Sequence, residues 1–175
     1  MKLLKIFFLL FAVLFFSACN SKSERDLFNG AQNLVKQKRY SAAINKYDQI
    51  VHEFSKSKYA PESLFEMAKL YQGLVVKNID SKESLRKAVN MYKKIFTEYP
   101  NSKRAESSIF MAAFILANEL QDINAAKTAY NLYIQKYPNG ELVKDAKIEL
   151  QNLGKSPEEV LREKIKPNFK NESSK

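Results

Sequence analysis

The residues that could do covalent or metal chemistry are scarce in this chain. Cysteine occurs once, as Cys19, and histidine once, as His52. A thiol can attack an electrophile, bind a metal or form a disulfide, but a lone cysteine closes no internal bridge. His52 has no second histidine or cysteine near it in the sequence to build a metal site. With Cys19 occupied by modification, no Cys–His or Ser–His–Asp arrangement remains for nucleophilic catalysis. Glu158 and Glu159 follow Ser156-Pro157 and read as the acidic first turn of a helix, not as an acid–base pair. The four glycines, at 30, 73, 140 and 154, are too dispersed to cradle a phosphate. These residues argue against an enzyme, predict no metal and no dissociable cofactor, and leave Cys19 as the one position with covalent chemistry to do.

The neighbourhood of Cys19 says what that chemistry is. Lys2 and Lys5 precede an unbroken apolar run of eleven residues, Ile6 to Phe16, too short to cross a ~30 Å hydrocarbon core as a helix. This is the layout of a secretory signal, expected over residues 1–18. Its end, Phe16-Ser17-Ala18-Cys19, resembles the lipobox of bacterial lipoproteins, with Phe16 in the position usually held by leucine. The resemblance implies cleavage before Cys19 and a diacylglycerol plus an amide-linked chain on that residue. At ~0.8 kcal/mol per buried methylene, two or more acyl chains anchor a domain stably. Asn20, where some envelopes read an aspartate as a retention signal, implies outer-membrane delivery, with the domain facing the periplasm. Residues 19–23 form a short lipidated tether.

Beyond residue 18 lie 157 residues with 27 basic and 19 acidic side chains, a net charge of +8. The basic pairs Arg86-Lys87, Lys93-Lys94 and Lys103-Arg104 alternate with acids, the pattern of solvated helix faces. A sharper use of this excess is attraction to anionic headgroups or acidic partners. No nucleic-acid-binding motif accompanies it, so no nucleic-acid partner is expected. With four glycines, no tryptophan and long runs of Lys, Glu, Ala and Leu, the composition predicts an all-α chain.

One motif then organises the remainder. From Ala88, Tyr92 lies four residues on, Phe96 eight, Tyr99 eleven and Pro100 twelve; from Ala126 the same offsets give Tyr130, Ile134, Tyr137 and Pro138; from Ala43 they give Tyr47, Val51, Phe54 and Ser55. The three starts are 45 and 38 residues apart, the period of a helical solenoid. The offsets fall on one helical face, predicting a buried stripe ended by the proline. Each stripe is the second, or B, helix of an antiparallel pair. The pairs are expected over 24–55, 60–100 and 102–138, followed by a terminal pair over 141–165, eight helices in all, and a disordered tail over 166–175.

Within the pairs, the first A helix is expected over 24–38 with a turn at Arg39-Tyr40-Ser41, and the second is expected to start near Pro61. Twelve residues separate Ala31 from Ala43 but twenty separate Ala68 from Ala88, so Val75 to Ser84 carries an insertion, with the break near Asn78 and a cap at Asp80 or Ser81. It is expected to lengthen both helices and their loop. Ser102 is placed to cap the third A helix, Gly154 to end the seventh helix, and Ser156-Pro157 to start an eighth whose Val160, Leu161 and Ile165 close the end of the stack.

The small residue of helix A, Tyr40, Ala43, Tyr47 and the terminating proline position resemble tetratricopeptide repeats. The B helices ending in Tyr-Pro-Asn-Ser or Tyr-Pro-Asn-Gly, on a lipoprotein, are similar to the BamD family of outer-membrane assembly lipoproteins and, almost equally, to the YbgF type of repeat protein associated with Tol-Pal. The resemblance covers roughly residues 24–153. It implies a scaffold that binds protein partners, in β-barrel protein assembly on the first likeness and in envelope or cell-wall maintenance on the second. In such stacks the A helices line a concave groove. Aligned on Ala31, Ala68 and Ala113, its expected rungs are Phe28, Phe65 and Phe110; Gln32, Lys69 and Phe114; and Lys36, Gly73 and Asn118. Aromatics flanked by amides and lysines suit an extended or helical peptide of acidic character.

Overall fold

The computed structural model describes residues 23–172, which form eight α-helices and no strand. They are α1 (Glu24–Lys36), α2 (Tyr40–Glu53), α3 (Tyr59–Gln72), α4 (Ser81–Glu98), α5 (Ala105–Phe114), α6 (Ile123–Lys136), α7 (Val143–Asn152) and α8 (Pro157–Glu172), with a π-helical segment, Ile115–Glu119, prolonging α5. From α1 to α7 each helix packs on the next, and α1 also meets α3, which is the connectivity of a solenoid. The expected signal segment, Cys19 and all of the tether except Ser23 lie outside the described residues.

Side-chain caps set several of the helix starts. The Ser23 hydroxyl accepts from the Asp26 amide at 3.2 Å, and the Asp80 carboxylate from the Lys82 and Glu83 amides at 2.9 and 3.1 Å. Asp122 accepts from the Ala125 amide at 3.0 Å. Ser156 and Glu159 form a reciprocal capping box, each backbone N–H donating to the other's side chain. Ser102 does not cap α5. Its hydroxyl accepts from the Arg104 amide inside the preceding turn, as Ser57 does from Tyr59 before α3, and each helix begins two residues after its serine or one further on. Thus α3 begins at Tyr59 with Pro61 third in the helix, and α5 at Ala105 instead of 102.

Other boundaries differ for backbone reasons. Lys38 adopts φ 58°, a left-handed conformation that ends α1 at Lys36 and moves the turn to 37–39, so Tyr40 opens α2. The B helices all stop alike: Phe54, Tyr99 and Tyr137 have φ of −126°, −128° and −125° and donate to the carbonyls of Ile50, Ile95 and Tyr133. Ser55 follows the first of these and prolines the other two, so proline accompanies this ending without being required for it.

The insertion is distributed unevenly. α2 and α6 begin three residues before their alanines, whereas α4 begins seven before Ala88, one extra turn. The rest lies in residues 73–80, where Leu74 and Asn78 have positive φ. α3 is not lengthened, at 14 residues against 13 in α1. Ser84 donates to the Tyr71 carbonyl at 2.7 Å and fastens the added turn to α3.

The core consists of alanine set against tyrosine. Ala43, Ala88 and Ala126 are wholly buried, as are Tyr92 and Tyr130, and Tyr47 is nearly so. The third member of the stripe is the residue at offset seven, Ile50, Ile95 or Tyr133, also fully buried. Phe96, Tyr99, Ile134 and Tyr137, at offsets eight and eleven, sit on its half-buried flank, where Phe96 meets Tyr137 edge-on at 6.4 Å.

At the junction of the third and fourth pairs Tyr133 does more than pack. Its hydroxyl donates to Glu106 at 2.7 Å and accepts from the Leu142 amide at 3.0 Å, while Glu106 also accepts from the Glu141 amide at 2.9 Å. This network consumes residues 141 and 142, so α7 starts at Val143. A Cβ on Gly140 would collide with the Glu106 carboxylate and stand 2.6 Å from the Tyr133 hydroxyl.

The C-terminal end departs most from expectation. Gly154, at φ 80°, turns the chain after α7 as foreseen. α8, however, does not close the stack: Leu161 and Ile165 are 59 % and 42 % exposed, and α7 leaves Ile148 51 % exposed. α8 is held chiefly to its own entry loop by the capping box and a 2.6 Å Lys155–Glu163 ion pair. It also continues to Glu172, through most of the segment expected to be a disordered tail and past Pro167, which leaves one backbone hydrogen bond of the helix unmade.

Two predictions follow from this packing. Gly140→Ala should destabilise the fold by about 1–3 kcal/mol, through the forced displacement of Glu106 and Tyr133; unchanged urea midpoints would show that the junction is slack. The second concerns alkaline pH. Tyrosine ordinarily ionises near 10.0, but burial raises Tyr47, Tyr92 and Tyr130 well above that, and burial with the Glu106 hydrogen bond pushes Tyr133 up to about 12. Above pH 10 the unfolded chain therefore binds fewer protons than the native one, and stability falls as pH rises. Urea titrations on either side of pH 10 should show a lower midpoint on the alkaline side.

Candidate functional site

The three phenylalanines expected to line a groove, on α1, α3 and α5, all take part in packing, Phe28 buried and Phe65 and Phe110 half-buried. Phe28 is buried, with its ring edge-on to Tyr47 at 5.5 Å and tilted on Tyr59 at 5.2 Å. Phe65 meets Tyr92 at 5.4 Å, and the Arg104 guanidinium covers its ring at 4.3 Å. Phe110 lies between Tyr130 at 5.8 Å and Tyr133 at 5.7 Å. Each phenylalanine joins its A helix to the B helix of its own pair. Large aromatic area is most favourably placed between helices, and that is where these rings are.

The second rung is accessible at Gln32 and Lys69, while Phe114 is half-buried. Lys69 is ion-paired with Glu66 at 3.0 Å, so its charge is locally matched. The third rung can be counted from either end of the pair. Thirteen residues separate Ala113 from Ala126, against twelve in the first pair, and the additional one is absorbed by the π-helical segment. There Leu120 donates to the Ile115 carbonyl at 2.9 Å and Asp122 to the Leu116 carbonyl at 2.8 Å. Counted back from Ala126, Glu119 corresponds to Lys36, whereas Asn118 turns its amide back to the Phe114 carbonyl at 3.2 Å. Lys36, Gly73, Asn118 and Glu119 are all exposed.

Glu119 also crosses between pairs. It accepts from the Gln72 side chain at 3.1 Å, and the Gln72 carbonyl oxygen in turn accepts from the Tyr92 hydroxyl at 3.3 Å. Burial raises Tyr92 most, with the Glu66 and Glu119 carboxylates adding to the effect and Arg104 opposing it. Glu66 acts likewise on Tyr47. The face thus carries Glu66 and Glu119 as well as Lys36 and Lys69. Lysines and carboxylates are mixed among the residues expected to meet a peptide. Their exposed amide, ammonium and carboxylate groups offer both donors and acceptors to a partner.

Arg104, read from the sequence with Lys103 as part of a solvated basic pair, is instead half-buried between α3 and α5. Its Nε donates to Glu62 at 2.9 Å, tying the start of α5 to α3 while its plane lies on Phe65. The 13-residue spacing was the available signal for Glu119; no comparable signal marked Arg104. Among the described residues no group of three or more His, Cys, Asp or Glu side chains could hold a metal, and His52 is exposed beside Asp48 at 3.4 Å. No helix among them is long and apolar enough to cross a membrane.

Phe110→Ala is expected to cost roughly 2–4 kcal/mol, as a core truncation does, whereas Gln32→Ala and Lys69→Ala should shift stability by no more than about 0.5 kcal/mol. Thermal unfolding of the three variants checks this; a neutral Phe110→Ala would return the aromatic column to the groove.

Comparison with known proteins agrees with this architecture where it finds a match. A family model described as tetratricopeptide repeat matches residues 107–140, the span from early α5 through the π-helical segment and α6 into the turn at Gly140. No curated protein matches the chain. Its all-helical solenoid and this match together support reading it as a tetratricopeptide-repeat protein, a class of protein-interaction scaffolds.

Proposed function

We propose that this chain is a lipid-anchored scaffold of the bacterial cell envelope, held at the outer membrane through Cys19 with its solenoid in the periplasm. Its concave face binds a peptide segment of a protein partner in the assembly and insertion of outer-membrane β-barrel proteins, the role implied by its likeness to the BamD family. The observation that supports the binding role is the set of exposed polar side chains Gln32, Lys36, Lys69 and Glu119 on the A helices and the π-helical segment, with Phe65 and Phe110 only half-buried among them. The anchor rests on the signal segment and Cys19. A second reading, an adaptor of the YbgF type working with Tol-Pal or cell-wall machinery, is favoured by repeat number: three pairs and a terminal pair are fewer than the five or so repeats usual in BamD-like proteins.

Affinity capture from detergent-solubilised envelopes, with mass spectrometry of the bound proteins, separates the two. Recovery of a β-barrel assembly protein with periplasmic repeats is the expected result; recovery of Tol-Pal or peptidoglycan-associated proteins in its place would select the adaptor. Labelled palmitate should be incorporated into the protein and not into Cys19→Ala, and label retained by the variant would refute lipidation at Cys19.

A further inference from the structure

Away from the concave face, a cleft of about 630 Å³ opens between α4 and the turn joining α5 to α6. One wall carries Lys82, Arg86 and Lys93, all exposed and spaced to lie on a single face of α4. The apolar part of the lining is supplied by buried Val89 and Leu116, half-buried Leu120 and 38 % exposed Ile123. The cleft's one carboxylate, Asp122, is engaged as the cap of α6.

Two features distinguish this wall from an ordinary solvated helix face. α4 pairs other lysines with its own acids, Lys87 with Glu83 and Lys94 with Glu98, yet no carboxylate among the described residues pairs with Lys82, Arg86 or Lys93. The stripe is also confined to the second unit. At the offsets of Arg86, Asn90 and Lys93, α2 has Ser41, Asn45 and Asp48, and α6 has Asn124, Thr128 and Asn131. Packing of the repeat therefore does not demand cations there. Lys82 stands on the turn added to α4 by the insertion, so the same lengthening extends the cationic wall.

We propose that this cleft docks an extended acidic segment of a protein partner, with carboxylates against Lys82, Arg86 and Lys93 and an apolar side chain over Val89, Leu116 and Ile123. At ~1.5 Å rise per residue, the stripe from Lys82 to Lys93 runs about 16 Å, the length of roughly five extended residues. Carboxylates on alternate residues of a strand stand about 6.6 Å apart, close to the ~6 Å rise from Lys82 to Arg86. A concave, partly apolar cleft fits a peptide better than a flat membrane surface, which favours projecting cations around an open rim. This site goes beyond the concave-face reading, and either can fail alone.

The test uses fluorescent eight-residue peptides with glutamate at alternate positions and leucine between, against the same peptides with glutamine for glutamate. Fluorescence anisotropy should show the glutamate peptide binding about tenfold more tightly, the combined gain of a few exposed charge contacts, with the preference shrinking as salt is raised. Lys82→Glu with Arg86→Glu should abolish the preference, and Arg86→Gln should reduce it. Lys87→Glu with Lys94→Glu, on paired lysines of the same helix, should retain it. Equal affinity for both peptides, or a preference indifferent to Lys82 and Arg86, would overturn the proposal. So would vesicles containing phosphatidylglycerol that bind through Lys82 and Arg86 while the peptide does not, assigning the cations to lipid. Envelope capture through the concave face should be unaffected by Lys82→Glu.

Discussion

The contact on which the solenoid depends is the edge-to-face meeting of one phenylalanine and one tyrosine inside each helix pair. Phe28 with Tyr47, Phe65 with Tyr92 and Phe110 with Tyr130 repeat it at 5.5, 5.4 and 5.8 Å. Such pairs contribute about 0.5–1.5 kcal/mol beyond the area they bury. Their greater effect is geometric. The rings meet beside alanines with essentially no exposed surface, Ala31 with Ala43, Ala68 with Ala88 and Ala113 with Ala126, which let the two helices of a pair approach closely. A larger side chain at an alanine would drive the rings apart, so small and aromatic positions must appear together. That joint requirement produces the period visible in the sequence.

What could be read from the sequence was therefore the part imposed by packing. The alanine-to-tyrosine offset located the B helices, Asp80 marked the start of the lengthened one, and Ser156 with Glu159 marked the last. Three features were less legible. The Lys38 turn depends on a left-handed residue that is neither glycine nor asparagine, so composition did not flag it. The π-helical segment enters the sequence only as thirteen residues where twelve were expected, so that counting back from Ala126 reaches Glu119 where counting on from Ala113 reaches Asn118. The phenylalanine column had the periodicity of a lining and equally that of a core; only the positions of Tyr47, Tyr92 and Tyr130 distinguish the two. Cys19, the residue most clearly marked for chemistry, lies outside the described residues.

The two candidate interaction surfaces differ in origin. The proposed peptide face draws on positions that recur from unit to unit, and the Gln72–Glu119 bridge runs between units. The α4 cleft is built from what does not recur: the added turn, the unmatched cations and the displaced α5–α6 connection. Shared positions are constrained by the stack, whereas additions are free to become specific to one partner. A scaffold with both can hold two segments at once, each through a different balance of backbone hydrogen bonding and charge.

The poorly closed C-terminal end has a further consequence. In a stack whose units touch only their neighbours, stability is a sum of local couplings, and opening begins where the last coupling is weakest. With Ile148, Leu161 and Ile165 exposed, α8 has little to lose by detaching, and α7 is then packed chiefly on α6. The Glu106–Tyr133–Leu142 network stands directly behind them as the first strong barrier to unzipping. The chain is thus built with a firebreak, behind which the first three pairs can keep their order while the end frays.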